Sequence, residues 1–242
     1  MLSIAYISLA LAAVLVLTAI TSGLGTRFGW WGFRTGLSVL KWAMYGELAV
    51  MAVSIICGVL AYSRGSGSGL PLFILAVIIS VAALSVPLRM YLIARSVPAI
   101  HDITTDTSNP PQFDAVLGLR KDALNSSEYG GNALAEQQKK AYPDIVPLLL
   151  ELPPAQVFER ALAYAKRHGW AIVNADAEKQ LIEATDTTFW FGFRDDIVIR
   201  IVPEGNGSRI DVRSLSRVGR SDVGANAARI RKLLKALKAA KA

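Results

Sequence analysis

The chain predicts a membrane protein in two parts: an N-terminal all-α region of three transmembrane helices, and a C-terminal α+β domain in which a four-stranded antiparallel sheet is flanked by two helices. Three observations predict it. Long apolar runs fill residues 1–94 of the 242. The remainder mixes charged and apolar residues in the manner of a water-soluble fold. Within that remainder, four segments with strand character lie between two segments of helical periodicity.

The first run, Leu2 to Ile20, holds no charged side chain, the second, Trp42 to Tyr62, holds only Glu47, and the third stays apolar from Leu70 to Leu88. About 20 mostly apolar residues cross a bilayer, because each helical residue rises roughly 1.5 Å and pairs its peptide group internally. The predicted helices are therefore about 2–22, 42–62 and 70–92. The first is expected to be a retained span and not a signal peptide, since no Lys or Arg precedes it and no small-residue cleavage pattern leads into a polar start. Pro87 is tolerable in the third, where a neighbouring helix or side chain re-satisfies the freed carbonyl. Glu47, five residues after Trp42, is expected to be shallow enough to reach the interface and to tolerate substitution.

The two connections differ in chemistry. Arg64-Gly65-Ser66-Gly67-Ser68-Gly69 offers no side chain large enough to recognise anything and reads as a flexible link. In the first connection Gly25, Gly29, Gly32 and Gly36 interleave with Arg27, Phe28, Trp30, Trp31, Phe33 and Arg34. That mixture suits the headgroup zone, as an interfacial anchor or as a place where lipid or a partner is recognised.

Residues 95–152 form a polar connector with Pro98, Pro110, Pro111, Pro143 and Pro147, followed by Pro153 and Pro154 at the start of the next segment. Proline interrupts helices and central strands, so only a short helix, Ala133 to Ala141, is anticipated there. Such a stretch is either mobile or laid across the domain that follows.

From residue 153 to 242 the pattern is that of a folded domain. Val157, Phe158, Ala161, Leu162 and Ala165 recur at helical spacing, and His168-Gly169 supplies the stop. Strands are predicted at Trp170–Asn174, Gln180–Thr188, Asp196–Val202 and Ser208–Arg217, the last two joined through the turn-forming Pro203-Glu204-Gly205-Asn206-Gly207. Ile197, Ile199 and Ile201 alternate with Asp196, Val198 and Arg200, which turns one apolar face inward. Ile230, Leu233, Leu234 and Leu237 form the stripe of a final helix.

Charge divides the aqueous part again. From residue 205 onward ten bases, Lys241 among them, stand against Asp211 and Asp222, a local net charge of +8, whereas residues 95–204 hold eleven bases and sixteen acids, a net −5. The basic final helix is either a solvated face or a surface that rests on anionic headgroups. Nucleic acid is not expected, since the basic helix lacks interleaved aromatics and no DNA or RNA module is recognisable. The lone cysteine, Cys57, excludes an intrachain disulfide and a cysteine-based metal site. His101 with Asp102 and Asp106 does not make a zinc ligand set. No metal and no cofactor is expected.

Four stretches resemble a known family. They are Ile103-Thr104-Thr105-Asp106-Thr107 with Asn109-Pro110-Pro111, then Ala141-Tyr142-Pro143-Asp144, then Thr188 to Asp196, and finally Ser214 to Asn226, SLSRVGRSDVGAN. Together they resemble the domain of unknown function 1499 family from about residue 100 to the end, in a branch with three transmembrane helices. The helix followed by Gly169-Trp170 and a strand with Ile182-Glu183-Ala184-Thr185 is also loosely similar to the helix-grip domains of envelope lipoproteins. Lipoprotein branches of the family imply an extracytoplasmic domain. The charge bias points the other way, since Arg27, Arg34, Lys41, Arg89 and Arg95 share one side of the membrane and Arg64 has the other. The expectation is an inner-membrane, multi-pass protein with its domain on the extracytoplasmic side.

The most suggestive chemistry is the Gly219-Arg220-Ser221-Asp222 turn. Arg213 and Arg217 share one strand face, Arg220 follows, and Ser221 or Asp222 stands where a helix N-cap belongs, so guanidinium forks and free amides could converge on a phosphate or carboxylate. Alternatively Ser221 or Asp222 simply caps the helix while the arginines pair with Asp195, Asp196 and Asp211. Phe189, Phe191 and Phe193 alternate with Trp190 and Arg194, placing the phenylalanines in the core and Trp190 at a rim, or all of them around a ligand pocket. Asp195 and Asp196 point to opposite faces of a strand and cannot flank one bond.

The function these residues predict is that of a membrane-anchored envelope protein whose domain binds a partner protein, lipid headgroup or small anion. The candidate residues are Arg213, Arg217, Arg220, Ser221, Asp222, Trp190, Asp195 and Asp196. No catalytic residue is assigned. The alternatives are an enzyme that acts on a phosphorylated or lipid substrate, with Asp195 or Asp196 as base, and a subunit of a membrane assembly or transporter.

Overall fold

A computed structural model describes residues 1–65 and 67–239; Ser66 of the second connection and Lys241 of the basic tail lie outside the described residues. The chain forms two compact units, Met1–Leu92 together with Phe189–Gly192, and Ile93–Thr188 together with Phe193–Ala242.

The first unit is built on α1 (Leu2–Arg27), α2 (Phe33–Ser63) and α3 (Leu70–Ser96), each long and apolar enough to cross a membrane. Small residues meet between them: Ala5, Ala12, Ala19, Gly36, Ala43, Ala61 and Ala76 are buried, while Leu11, Leu17, Ile56, Val59 and Ile78 face outward. That distribution suits lipid, where close backbone approach and not hydrophobic burial holds helices together. Gly36 shows the constraint, since a Cβ there would collide with Thr26 and with the Ser22 carbonyl of α1.

Two expectations change here. Helix α2 begins at Phe33, because Gly32 in extended conformation starts it nine residues before the apolar run does. Glu47 is consequently the fifteenth residue of a 31-residue helix, fully buried and accepting a 2.6 Å hydrogen bond from the Ser80 hydroxyl of α3. It is an internal polar contact between helices and not an interfacial residue. The alternation expected for Phe189 to Phe193 also fails, because the residues form a turn: Phe189 is 83 % exposed and Phe191 is buried. In this unit the Trp190 indole N–H donates to the Ile20 carbonyl at 3.0 Å, and the Arg27 guanidinium donates to the Phe189 carbonyl at 2.9 Å.

The second unit carries β1 (Asp102–Thr104), α4 (Gly131–Ala141), β2 (Leu148–Leu150), α5 (Pro154–Arg167), β3 (Ala171–Asp176), β4 (Leu181–Thr187), β5 (Arg194–Glu204), β6 (Gly207–Ser216) and α6 (Ala225–Ala239). The sheet is antiparallel with the order β1-β6-β5-β4-β3, and β2 also pairs with β6. It therefore has six strands, where four were expected. The two additions are three-residue segments from the proline-rich stretch, too short to show a period of two. They cap one edge of β6, β1 against Arg213 to Leu215 and β2 against Ser208 to Ile210.

Helices α5 and α6 cover one face. Pro153 and Pro154 start α5, and His168 with Gly169 at φ 74° ends it, the geometry that a residue without Cβ accepts at no steric cost. Val157, Phe158, Ala161, Ile230, Leu233 and Leu237 pack on Ile182, Ala184, Ile197, Ile199, Ile201, Ile210 and Val212. Each such side chain, fully buried, contributes roughly 1.5–3 kcal/mol. The opposite face is covered by the stretch from Thr105 to Ser127, through Phe113 and Val116 against Val198 and Leu215. So small an apolar patch leaves most of that face to charged side chains.

Candidate functional site

Strand alternation puts Asp196 of β5, Arg213 of β6 and Arg217, the residue that follows β6, on the face beneath the Thr105–Ser127 stretch. Arg217 grips Asp196 through Nε and Nη2, at 2.9 and 2.8 Å, and donates through Nη1 to the Leu119 carbonyl at 2.6 Å. Arg120 approaches the other side of the Asp196 carboxylate, and the Thr185 hydroxyl donates to it at 2.7 Å. Asp196 is fully buried, and both arginines are nearly so.

Arg213 sits in a second cluster, fully buried. Its Nε and Nη2 meet the two oxygens of Asp102 at 2.9 and 2.8 Å, and its guanidinium carbon lies 4.9 Å from the Phe113 ring centre and 5.5 Å from that of Tyr129. A third cluster joins Arg200 and Arg209 to Asp106 and Asp211. On the helical face, Asp195 accepts from Arg229 at 2.7 Å, and Arg229 also holds Asp186. Adjacent aspartates thus serve opposite faces, and all four candidate side chains are paired inside the domain, Arg217 with Asp196, Arg213 with Asp102 and Asp195 with Arg229.

Burial and the nearby Asp102 carboxylate push the Tyr129 phenol up to about 12 from its ordinary 10.0. Because the phenol is harder to ionise in the folded state than in the unfolded chain, its titration leaves stability untouched below pH 10, where both states are protonated, and lowers it as pH rises from 10 to about 12. Its hydroxyl makes no hydrogen bond among the described residues. Tyr129→Phe is therefore expected to leave stability at pH 7 unchanged and to remove part of the alkaline loss, read as a wild-type minus variant difference in denaturant midpoint between pH 9 and 12. A constant difference across that range would contradict it.

What remains open is the turn itself. Arg220 is exposed, Ser221 accepts the Val223 N–H at 3.1 Å, and Asp222 accepts the Gly224 and Asn226 N–H groups, both at 2.8 Å. Asp222 is thus the cap of α6, and burial raises its carboxyl above the ordinary value against the pull of those two amides. Arg220 borders a groove of about 560 Å³ whose other polar walls are His101, Asp102, Asn125, Ser126, Glu128 and Gln137, Asp102 being the carboxylate that Arg213 holds. His101 Nδ1 lies 3.3 Å from the Arg220 carbonyl, and the Asn125 amide donates to the Ser216 and Gly219 carbonyls at 3.0 and 2.9 Å. Gly130, the N-cap of α4, also lines the groove, and among the described residues no side chain caps that helix start.

Of the residues singled out in the sequence, Arg220, Ser221 and Asp222 stand together at the surface, and only Arg220 lines the groove. Arg213, Arg217 and Asp196 lie in the layer between sheet and cover, Asp195 under α6, and Trp190 in the helical unit. Sequence reasoning missed His101, Asn125 and Gln137 as wall residues. Their one signal was membership in the stretch whose path across the sheet was left open.

The family profile described as protein of unknown function (DUF1499) matches residues 102–237. No curated protein matches the chain. The matched span begins at β1 and ends in α6, so it contains every strand and the charged layer, and all of the groove except the wall formed by Ala99, Ile100 and His101.

Proposed function

We propose, for a chain that belongs to the DUF1499 family of proteins of unknown function, that it is a membrane-anchored recognition protein whose sheet domain binds a small anionic group, a phosphate or carboxylate, in the groove beside Arg220. The observation that carries this is the division of labour among the arginines. Arg213, Arg217 and Arg229 are spent on internal carboxylates, whereas Arg220 stands exposed at a concave site with His101 and the uncapped start of α4. The aspartates that would have to serve as a base are held by the same arginines, which favours binding over catalysis.

The three apolar helices support the anchoring role. The domain is proposed to face the extracytoplasmic side, as the lipoprotein branches of the family imply. Inorganic phosphate titrated into the full-length protein in detergent is expected to move the His101 imidazole resonances saturably. Arg220→Ala should weaken that binding by roughly 10- to 100-fold, the worth of one charge-assisted hydrogen bond, with the thermal midpoint unchanged because the side chain is exposed. Equal affinity in the variant, or no saturable shift in the wild type, would refute the site. Labelling Ser126→Cys in a Cys57→Ser background on intact cells with a membrane-impermeant maleimide reads the side in the same protein: labelling without permeabilisation is expected.

A further inference from the structure

The helical unit holds a cleft of about 400 Å³ among α1, α2 and α3, roofed by Phe189 and Trp190. Its size falls within the roughly 300–1,000 Å³ of clefts that hold small molecules. Every residue that lines it is apolar or aromatic. The one polar side-chain group among them, the Trp190 indole N–H, is already spent on the Ile20 carbonyl. Ala19, Ala82 and Ala83 leave space that larger side chains would fill. The roof is fixed in place, because the indole lies against Gly23, where no Cβ fits.

Helical spacing shows what stands at its mouth. On α1 the lining residues Val16, Ile20 and Leu24 are four apart and share one stripe. That stripe runs roughly 12 Å along the axis, close to the ~15 Å depth of one leaflet in a hydrocarbon core of ~30 Å. Its next position is Arg27, the last residue of α1. On α3 the stripe of Ala82 and Val86 continues by the same spacing to Arg89. Two walls of an apolar cleft thus end in arginines. Arg27 is held at the roof, donating to the Phe189 carbonyl at 2.9 Å with its guanidinium carbon 5.7 Å from the Phe189 ring centre. Arg89 is exposed and pairs with no group among the described residues.

We propose that the cleft is a lipid site, in which one acyl chain of an anionic phospholipid lies between α1 and α3 beneath Trp190 and its phosphate meets Arg27 and Arg89. Location selects the chain. Helices long and apolar enough to cross a membrane stand in hydrocarbon, and a cleft with no polar side chain to offer takes an alkyl chain and not a polar solute. Charge selects the headgroup, because two guanidinium groups at the mouth favour a lipid of net negative charge over a zwitterionic one. The site is independent of Arg220 and of whatever occupies the groove there.

The full-length protein in detergent, titrated with dioleoylphosphatidylglycerol and read by native mass spectrometry, is expected to retain one lipid per chain. Dioleoylphosphatidylcholine should be retained about five-fold less or weaker still, and Arg27→Gln/Arg89→Gln should weaken phosphatidylglycerol roughly ten-fold. Ala82→Phe should weaken it as much by filling the cleft with both arginines in place, and Arg220→Ala should have no effect. Ala82 is exposed, so an unchanged thermal midpoint verifies that the variant folds. A second measurement leaves the cleft of the wild type intact: phosphatidylglycerol brominated in the upper part of its chains should quench tryptophan fluorescence, and Trp190→Phe should remove the largest part of that quenching. Equal retention of the two lipids, retention undiminished in Ala82→Phe, or quenching unchanged by Trp190→Phe would overturn the proposal. So would loss in the arginine variant alone, which would assign the two charges to a headgroup layer with no chain in the cleft.

Discussion

Asp196→Ala is expected to destabilise the sheet domain by about 3–5 kcal/mol, the cost of removing one partner from a buried ion pair. The carboxylate is the single acceptor on which Arg217, Arg120 and Thr185 converge, and it has no exposed surface. Its loss would strand two guanidinium groups beneath the Thr105–Ser127 cover, where water does not reach them. Against a total stability of about 5–15 kcal/mol for a folded domain, that is a large fraction. Hydrogen exchange at the amides of β5 and β6 in the full-length protein isolates this domain from the helices, and protection there should fall by two to three orders of magnitude, ~1.4 kcal/mol per ten-fold. A change of less than ten-fold would mean that the two arginines find other acceptors. Asp196→Asn should fall between, since it keeps the shape and one acceptor but not the charge.

The second large effect is expected at Glu183, another fully buried carboxylate on the same face of the sheet. It accepts the backbone N–H groups of Asp114, Ala115 and Val116 at 3.1, 2.9 and 3.0 Å, so one side chain of β4 fixes the first turn of the short 3-10 segment that covers it. Hydrogen bonds to a charged group contribute about 1.5–3 kcal/mol each. Glu183→Ala is expected to cost about 3 kcal/mol in total, because the released segment can lift and solvate part of what it loses. Exchange at residues 114–116 should rise more than exchange in β4 to β6, the reverse of the Asp196 pattern. Uniform loss of protection across the sheet would show instead that cover and sheet unfold as one. Glu183→Gln, which keeps a neutral acceptor, should cost roughly half as much.

These two carboxylates show why the candidate site was only partly legible. Alternation in β5 and β6 correctly separates Asp195 from Asp196 and groups Arg213 with Arg217, because strand period is a local property. It does not reveal that the partner of Arg213 is Asp102, 111 residues earlier, or that Arg120 joins Arg217 on Asp196. The exposed Arg220 looked no different in sequence from the buried arginines. What distinguishes it is the absence of a cover over the turn that holds it.

The sequence by itself determined the three spans, helices α5 and α6, and the four long strands, since each declares itself by a run length or a period that follows from rise per residue and side-chain direction. It also determined family membership through SRVGRSDVGAN and its companions. The tertiary structure alone decided that the proline-rich stretch supplies two edge strands and the lid of a charged layer, that Glu47 bonds to Ser80 in mid-helix, and that Phe189 and Trp190, far along the chain, roof a cleft among the three apolar helices. The physical reason is common to all three. Periodicity reports which side of an element avoids water, while the identity of the group met on that side depends on the path of distant chain.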